Sequence, residues 1–187
     1  GRTYEEVLAA AAFAVFQEGW QGGFGADGDH LKTAEEIRYA LDCGFTMITL
    51  DCSEQIDRGV MDMSAGQVDR AYAALPKALR QRYERKYLGK TVDLDGQALA
   101  ITAADLRQIV LTYHRAVDYT VELFGSLIRG YPRPIDFEMS IDETLAATTP
   151  QAHYVVAGEL IAGDVRITSL APRFAGEFQK GIDYIGD

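Results

Sequence analysis

Between Gly22 and Glu54 the chain reads as extended run, acidic segment, helix, extended run, acidic segment, and few folds accommodate that order. Gly22–Ala26 is a short extended stretch leading into Asp27-Gly28-Asp29-His30. Thr33 is followed three residues later by Glu36, the reciprocal pair of a capping box, which predicts a helix over Ala34–Asp42. Gly44 stands where a left-handed residue stops a helix. The β-branched and apolar run Phe45–Leu50 then ends in Asp51-Cys52-Ser53-Glu54. Two strands joined through a helix run parallel, so a βαβ unit is expected.

The alternation returns in the second half. Thr102 can cap a long helix from Ala103 to about Arg129, with Leu106, Ile109, Val110, Tyr113, Val117, Val121, Phe124 and Ile128 on its apolar side. Gly130 and Pro132 end it. Ile135–Ile141 reads as a strand, Asp142–Thr149 as a loop, and Pro150 opens a helix that Gly163 closes. Val165–Leu170 is a further strand, running into Ala171-Pro172-Arg173-Phe174. Ahead of these, Glu5–Phe16 carries a stripe of Val7, Ala10, Ala11, Ala14 and Val15 and predicts a buried helix. Residues 57–102 are less regular: helical pieces are interrupted at Pro76, and Asp93–Gln97 forms a turn. They read as a variable insertion within one domain spanning 1–187.

Four strands of the βα type make this an α/β chain, about half of an incomplete (β/α)8 barrel, which in full has eight strands and ~250 residues. An open doubly wound sheet is the competing fold, but no glycine-rich nucleotide loop supports a nucleotide-binding version. The chain opens on Gly1 and stops at Asp187 soon after an expected strand, so a piece of a larger protein is expected. A half-barrel exposes edge strands and an open interior, which favours self-association into homo-oligomers and predicts little activity for the piece alone.

Charge narrows the partners. With 18 basic against 28 acidic residues, the net charge of −10 opposes nucleic acid, whose phosphates require a basic face. A small anion held by a few local cations remains compatible. No apolar run reaches the roughly 18 to 20 residues of a membrane span. Cys43 and Cys52 have neither metal-type spacing nor a disulfide framework, which points to a reducing cytoplasm.

Reactive groups of parallel α/β folds sit at the carboxyl ends of strands, where the loops converge. All four expected strand ends carry functional side chains. In Asp29-His30, an imidazole suited to a divalent metal adjoins a carboxylate suited to act as base. Gly28 would let the backbone turn tightly enough for both to face one cavity. A surface Asp-Gly turn is the competing account. Glu138, Ser140 and Asp142 alternate and share a strand face, with Met139 and Ile141 opposite and Glu143 just beyond. Such crowded acids suit proton transfer. Alternatively, Glu138 pairs with Arg133 or Arg166, and Asp142-Glu143 caps a helix. Arg173, Lys180 and Lys32 can hold a substrate carboxylate. His153 can face the same cavity, His114 reads as structural, and Cys52 reads as a packing residue.

Several longer runs occur together. They are Phe24-Gly25-Ala26-Asp27-Gly28-Asp29-His30-Leu31-Lys32-Thr33, Ser140-Ile141-Asp142-Glu143-Thr144, Thr149-Pro150-Gln151-Ala152-His153-Tyr154 and Ser169-Leu170-Ala171-Pro172-Arg173-Phe174. A last run spans Gly176 to Asp187. In this order they resemble the tagaturonate/fructuronate epimerase family. The resemblance implies an isomerase of hexuronate catabolism that interconverts D-tagaturonate and D-fructuronate with a divalent cation (Zn, Ni, Mn, Fe or Co). It implies Asp29 as general base, His30 as metal ligand and Glu143 as the reciprocal proton donor. Lys32, Glu138, Asp142 and Arg173 would touch the ketohexuronate. Family members are longer and carry further histidines as metal ligands. The inverted carbon lies β to the ketone, so retro-aldol cleavage with re-addition and stepwise enolisation are both open. A non-catalytic barrel piece, or another metal-dependent sugar isomerase or aldolase, are the other readings.

Overall fold

The computed structural model describes residues 1–142, 144, 146–176 and 183–186. Its elements in chain order are α1 (Tyr4–Gln17), β1 (Asp27–Leu31), α2 (Ala34–Cys43), β2 (Met47–Asp51), α3 (Ala65–Ala74), α4 (Lys77–Tyr87), β3 (Thr91–Leu94), β4 (Gln97–Ala100), α5 (Ala103–Leu123), β5 (Asp136–Ser140), α6 (Pro150–Ala162) and β6 (Ser169–Ala171). One π-helical turn, Phe124–Ile128, extends α5. Strands β1, β2, β5 and β6 form one parallel sheet in that order, while β3 and β4 make a separate antiparallel hairpin. The result is a mixed α/β architecture with helices against a four-stranded parallel sheet.

The helix ends follow the sequence chemistry. Thr33 and Glu36 satisfy each other's backbone N–H groups, and Gly44 at φ 106° ends α2. The same box forms at Thr102 and Asp105. Thr149 caps α6, with Pro150 in its first turn.

The sheet has two unlike faces. Ile48, Leu50, Phe137 and Met139 are fully buried, and register puts Ile48 beside Phe137 and Leu50 beside Met139. Phe124 closes on Phe137 edge-on at 5.2 Å. The opposite face carries Thr49 beside Glu138, and Asp51 beside Ser140. Because strand side chains alternate, the apolar face fixes the polar one.

Three sequence expectations are corrected. The first strand is Asp27–Leu31 rather than Gly22–Ala26, so Asp29 and His30 belong to the strand itself. The last strand is Ser169–Ala171 rather than Val165–Leu170. Helix α1 forms but buries none of its residues. It is tied by the Tyr4–Tyr39 stack at 4.9 Å, and Phe13 and Phe16 stay exposed. An apolar stripe predicts a helix face, not which surface covers it.

Gly28 also has a different role from the one its position suggested. It is buried, and a Cβ there would meet Leu31 Cδ1 at 3.0 Å and both Ala40 Cβ and Ile48 Cδ1 at 3.3 Å. Its lack of a side chain lets β1 lie close on α2. Gly28→Ala is expected to destabilise by about 1–3 kcal/mol through overpacking, read as a lower denaturation midpoint.

Residues 57–102 hold one short 3-10 turn (Arg58–Asp62), α3, α4 and the hairpin. They pack on α5 and α6 through buried Tyr72, Tyr83 and Tyr87. Among the described residues no helix is long and apolar enough to cross a membrane.

Candidate active site

At the carboxyl end of β1 the pairing with β2 slips. Gly28 pairs with Ile48 and Leu31 with Leu50, so Asp29 and His30 together oppose Thr49. His30 takes the left-handed conformation at φ 58° that permits this bulge. In a regular strand consecutive side chains point to opposite faces. Here Asp29 Oδ1 lies 2.7 Å from His30 Nδ1, joining carboxylate and imidazole as one unit. With the shared proton on Nδ1, Nε2 is left as the nitrogen for a ligand. Such a conformation costs on the order of 1–3 kcal/mol and collects at functional sites.

Other strand ends converge on this unit. Burial alone would lower the His30 pKa, but the Asp29 bond and the charges of Asp29, Asp142 and Asp51 raise it above its ordinary value. The ends of β5 and β2 therefore act electrostatically on a side chain of β1. Asp51 accepts the Ser53 N–H at 2.8 Å and lies 3.3 Å from Lys32 Nζ. Burial opposes its charge, yet these partners hold its pKa below the usual carboxylate value. Ser140 donates to Asp142 at 2.5 Å.

A second polar row lies deeper along the strands. Thr49 donates to Asp27 at 2.8 Å, Glu138 stands beside Thr49 in register, and Ser169 donates to Glu138. Burial pushes the Asp27 pKa up, with Asp29 and Glu138 adding to it against the Thr49 bond. Across the strands this makes a hydroxyl–carboxylate surface able to hydrogen-bond a ligand rich in hydroxyl groups.

The sequence profile of the tagaturonate epimerase family matches residues 1–187. The chain belongs to the tagaturonate epimerase family. It is 37% identical over its full length to the tagaturonate/fructuronate epimerase of Thermotoga maritima, covering 38% of that protein. The native crystal structure of a fructuronate-tagaturonate epimerase from Cohnella laeviribosi superposes with a TM-score of 0.97 at 54% identity. Its complex with one glycerol gives 0.96 at 53%. In both, this chain is covered completely and 38% of the crystallised chain is matched. The chain thus spans well under half the length of these tagaturonate epimerase relatives.

Of the residues expected for a tagaturonate epimerase site, Asp29 and Asp142 both come within electrostatic reach of His30. Glu138 sits on the same sheet face one row deeper. It is bonded to Ser169 rather than to Arg133 or Arg166, and Arg133 instead donates to the carbonyls of Leu41, Gly44 and Phe45. Lys32 is at the mouth but already paired, with Asp51 at 3.3 Å and Glu54 at 3.7 Å. Arg173 lines a cavity of about 490 Å³ with His153, Tyr154 and Leu94, and neither Asp29 nor His30 lines that cavity. Glu143 and Lys180 lie outside the described residues.

His114 Nδ1 donates to the Val110 carbonyl within its own helix at 2.7 Å, a structural placement. Cys52 is fully buried, and burial pushes its thiol to about 12, which suits packing rather than nucleophilic attack.

Asp27 and Asp51 are the residues to which sequence reading gave no role. Both stood in the acidic strand-end segments, but only register shows that they face the same side as Glu138.

Among the described residues no group of three or more His, Cys, Asp or Glu is arranged to hold a metal ion. The donor chemistry therefore fits one anchored imidazole, His30, as a contribution to a metal site rather than a whole one.

Proposed function

We propose that these residues form part of a metal-dependent epimerase site that interconverts D-tagaturonate and D-fructuronate, on one half of a (β/α)8 barrel. The observation that carries this reading is the bulge that joins Asp29 to His30 at a strand end, facing the charges of Asp51 and Asp142. Family membership supports the substrate class, and the free cysteines suit a reducing cytoplasm.

In this reading His30 would present Nε2 to a divalent ion whose other ligands lie outside these residues. When bound, that ion supplies Lewis-acid polarisation of the ketone oxygen. Asp29 keeps a second carboxylate oxygen for the proton that leaves the substrate, whichever of the two routes is followed. Glu143 is the reciprocal proton donor. Glu138 and Asp142 accept hydrogen bonds from sugar hydroxyls, and Lys32 offers a cation to the substrate carboxylate, whereas Arg173 lines the separate cavity with His153. Arg173 stands at the far edge of the sheet beside His153, so Lys32 is the nearer of the two to the Asp29–His30 unit.

The test uses a protein of the relatives' full length that carries this sequence. Incubation with D-tagaturonate is expected to yield D-fructuronate, to stop on chelation and to resume when a divalent ion is restored. Absence of conversion with every divalent ion tried would overturn the assignment.

A further inference from the structure

We infer that Asp51 is a positioning residue for the Lys32 ammonium, and that this pair sets affinity for the carboxylate end of a sugar acid. The inference rests on the reading of the strand mouth as a sugar-acid site.

Asp51 is 4% exposed, and a buried carboxylate is tolerated only when paired and hydrogen-bonded. Its partners are the Ser53 N–H at 2.8 Å and Lys32 Nζ at 3.3 Å. Lys32 is also fixed at its backbone from two sides. Its N–H donates to Glu36 at 2.8 Å, and its carbonyl accepts from the Tyr119 hydroxyl at 2.7 Å. A lysine stem has many rotamers to lose on ordering. With both ends tethered, that ordering cost falls on folding rather than on ligand binding. Glu54 at 3.7 Å is 70% exposed, a solvated partner that adds little.

Position makes the ammonium relevant to the site. Lys32 follows His30 by two residues, directly beyond the bulge. Its side chain is 38% exposed, against 3% for that of Asp51. The lysine side chain is thus partly open to solvent while its anchor lies inside. An anchored ammonium attracts an anionic end group and gives a neutral polyol no comparable gain.

The test compares Asp51→Asn, Lys32→Gln and the double variant in the full-length metal-loaded protein. Each single substitution is expected to raise KM for the ketohexuronate about tenfold, the value of one charge-assisted hydrogen bond, with kcat held within about threefold. The double variant should be no worse than either single one. Calorimetric binding of D-galacturonate should weaken in parallel, and binding of neutral D-galactose should not change. An unchanged KM, an equal loss in kcat, or an additive double variant would sink the inference. Lys32→Gln changes a partly exposed side chain, so it decides the matter if Asp51→Asn does not fold. If the wild-type protein binds galacturonate in this Asp51-dependent way yet turns over no ketohexuronate, the epimerase reading alone fails.

Discussion

Asp29→Asn, in a protein of the relatives' full length, is expected to lower kcat by about 10²- to 10⁴-fold, the usual contribution of a general base. Asparagine preserves the size of the side chain and an oxygen that can still accept from His30 Nδ1 at the 2.7 Å position. The imidazole therefore stays oriented, and bound metal should remain close to stoichiometric. What asparagine lacks is the basicity to take a proton. Asp29→Ala removes both functions and should add a loss of about 10- to 100-fold in metal affinity, the typical cost of deleting a ligand's supporting partner. Steady-state kinetics and metal analysis on the two variants separate the roles. An Asp29→Asn enzyme with kcat within threefold of wild type would remove Asp29 from the chemistry.

The second large effect concerns stability. Glu159 on α6 is 5% exposed; it forms an ion pair with Arg82 Nε at 3.0 Å and accepts from Lys86 Nζ at 3.1 Å and the Tyr87 hydroxyl at 2.9 Å. It is the point at which α4 is fastened to α6. Glu159→Ala leaves the buried Tyr87 hydroxyl without its strongest acceptor and leaves two cations beside an apolar surface. The expected cost is about 2–4 kcal/mol, toward the lower end of buried-pair deletions. The lower end applies because Arg82 keeps Asp118 at 3.2 Å and Lys86 keeps the Gly158 carbonyl at 2.6 Å. Glu159→Gln retains an acceptor for Tyr87 and should cost less. Urea denaturation of both variants measures the difference, and a midpoint unchanged in Glu159→Ala would show that the cluster is not holding the two helices.

Local signals in the sequence located most helices. Capping at Thr33, Thr102 and Thr149 involves residues within three positions of one another, so it is written in the order of residues. The apolar alternation in Phe45–Leu50 and Ile135–Ile141 placed β2 and β5 to within a residue or two. It also put Glu138 and Ser140 on the face opposite Met139, as observed. The first strand was misplaced because its residues, Asp27-Gly28-Asp29-His30-Leu31, have the composition of a turn. They are extended because β2 offers a partner edge and α2 covers Gly28. Neither fact is local.

The order of residues alone determined the parallel α/β plan, the positions of most helices and the gathering of acidic side chains at strand ends. It did so because capping and alternation act between near neighbours along the chain. Tertiary structure alone decided the slip in register that turns Asp29 toward His30, the burial of Asp51 under Lys32, and the placing of Arg173 in a separate cavity with His153. Those depend on which strand edge meets which across the sheet, and pairing between distant segments is set by packing of the whole apolar face rather than by any short run of residues.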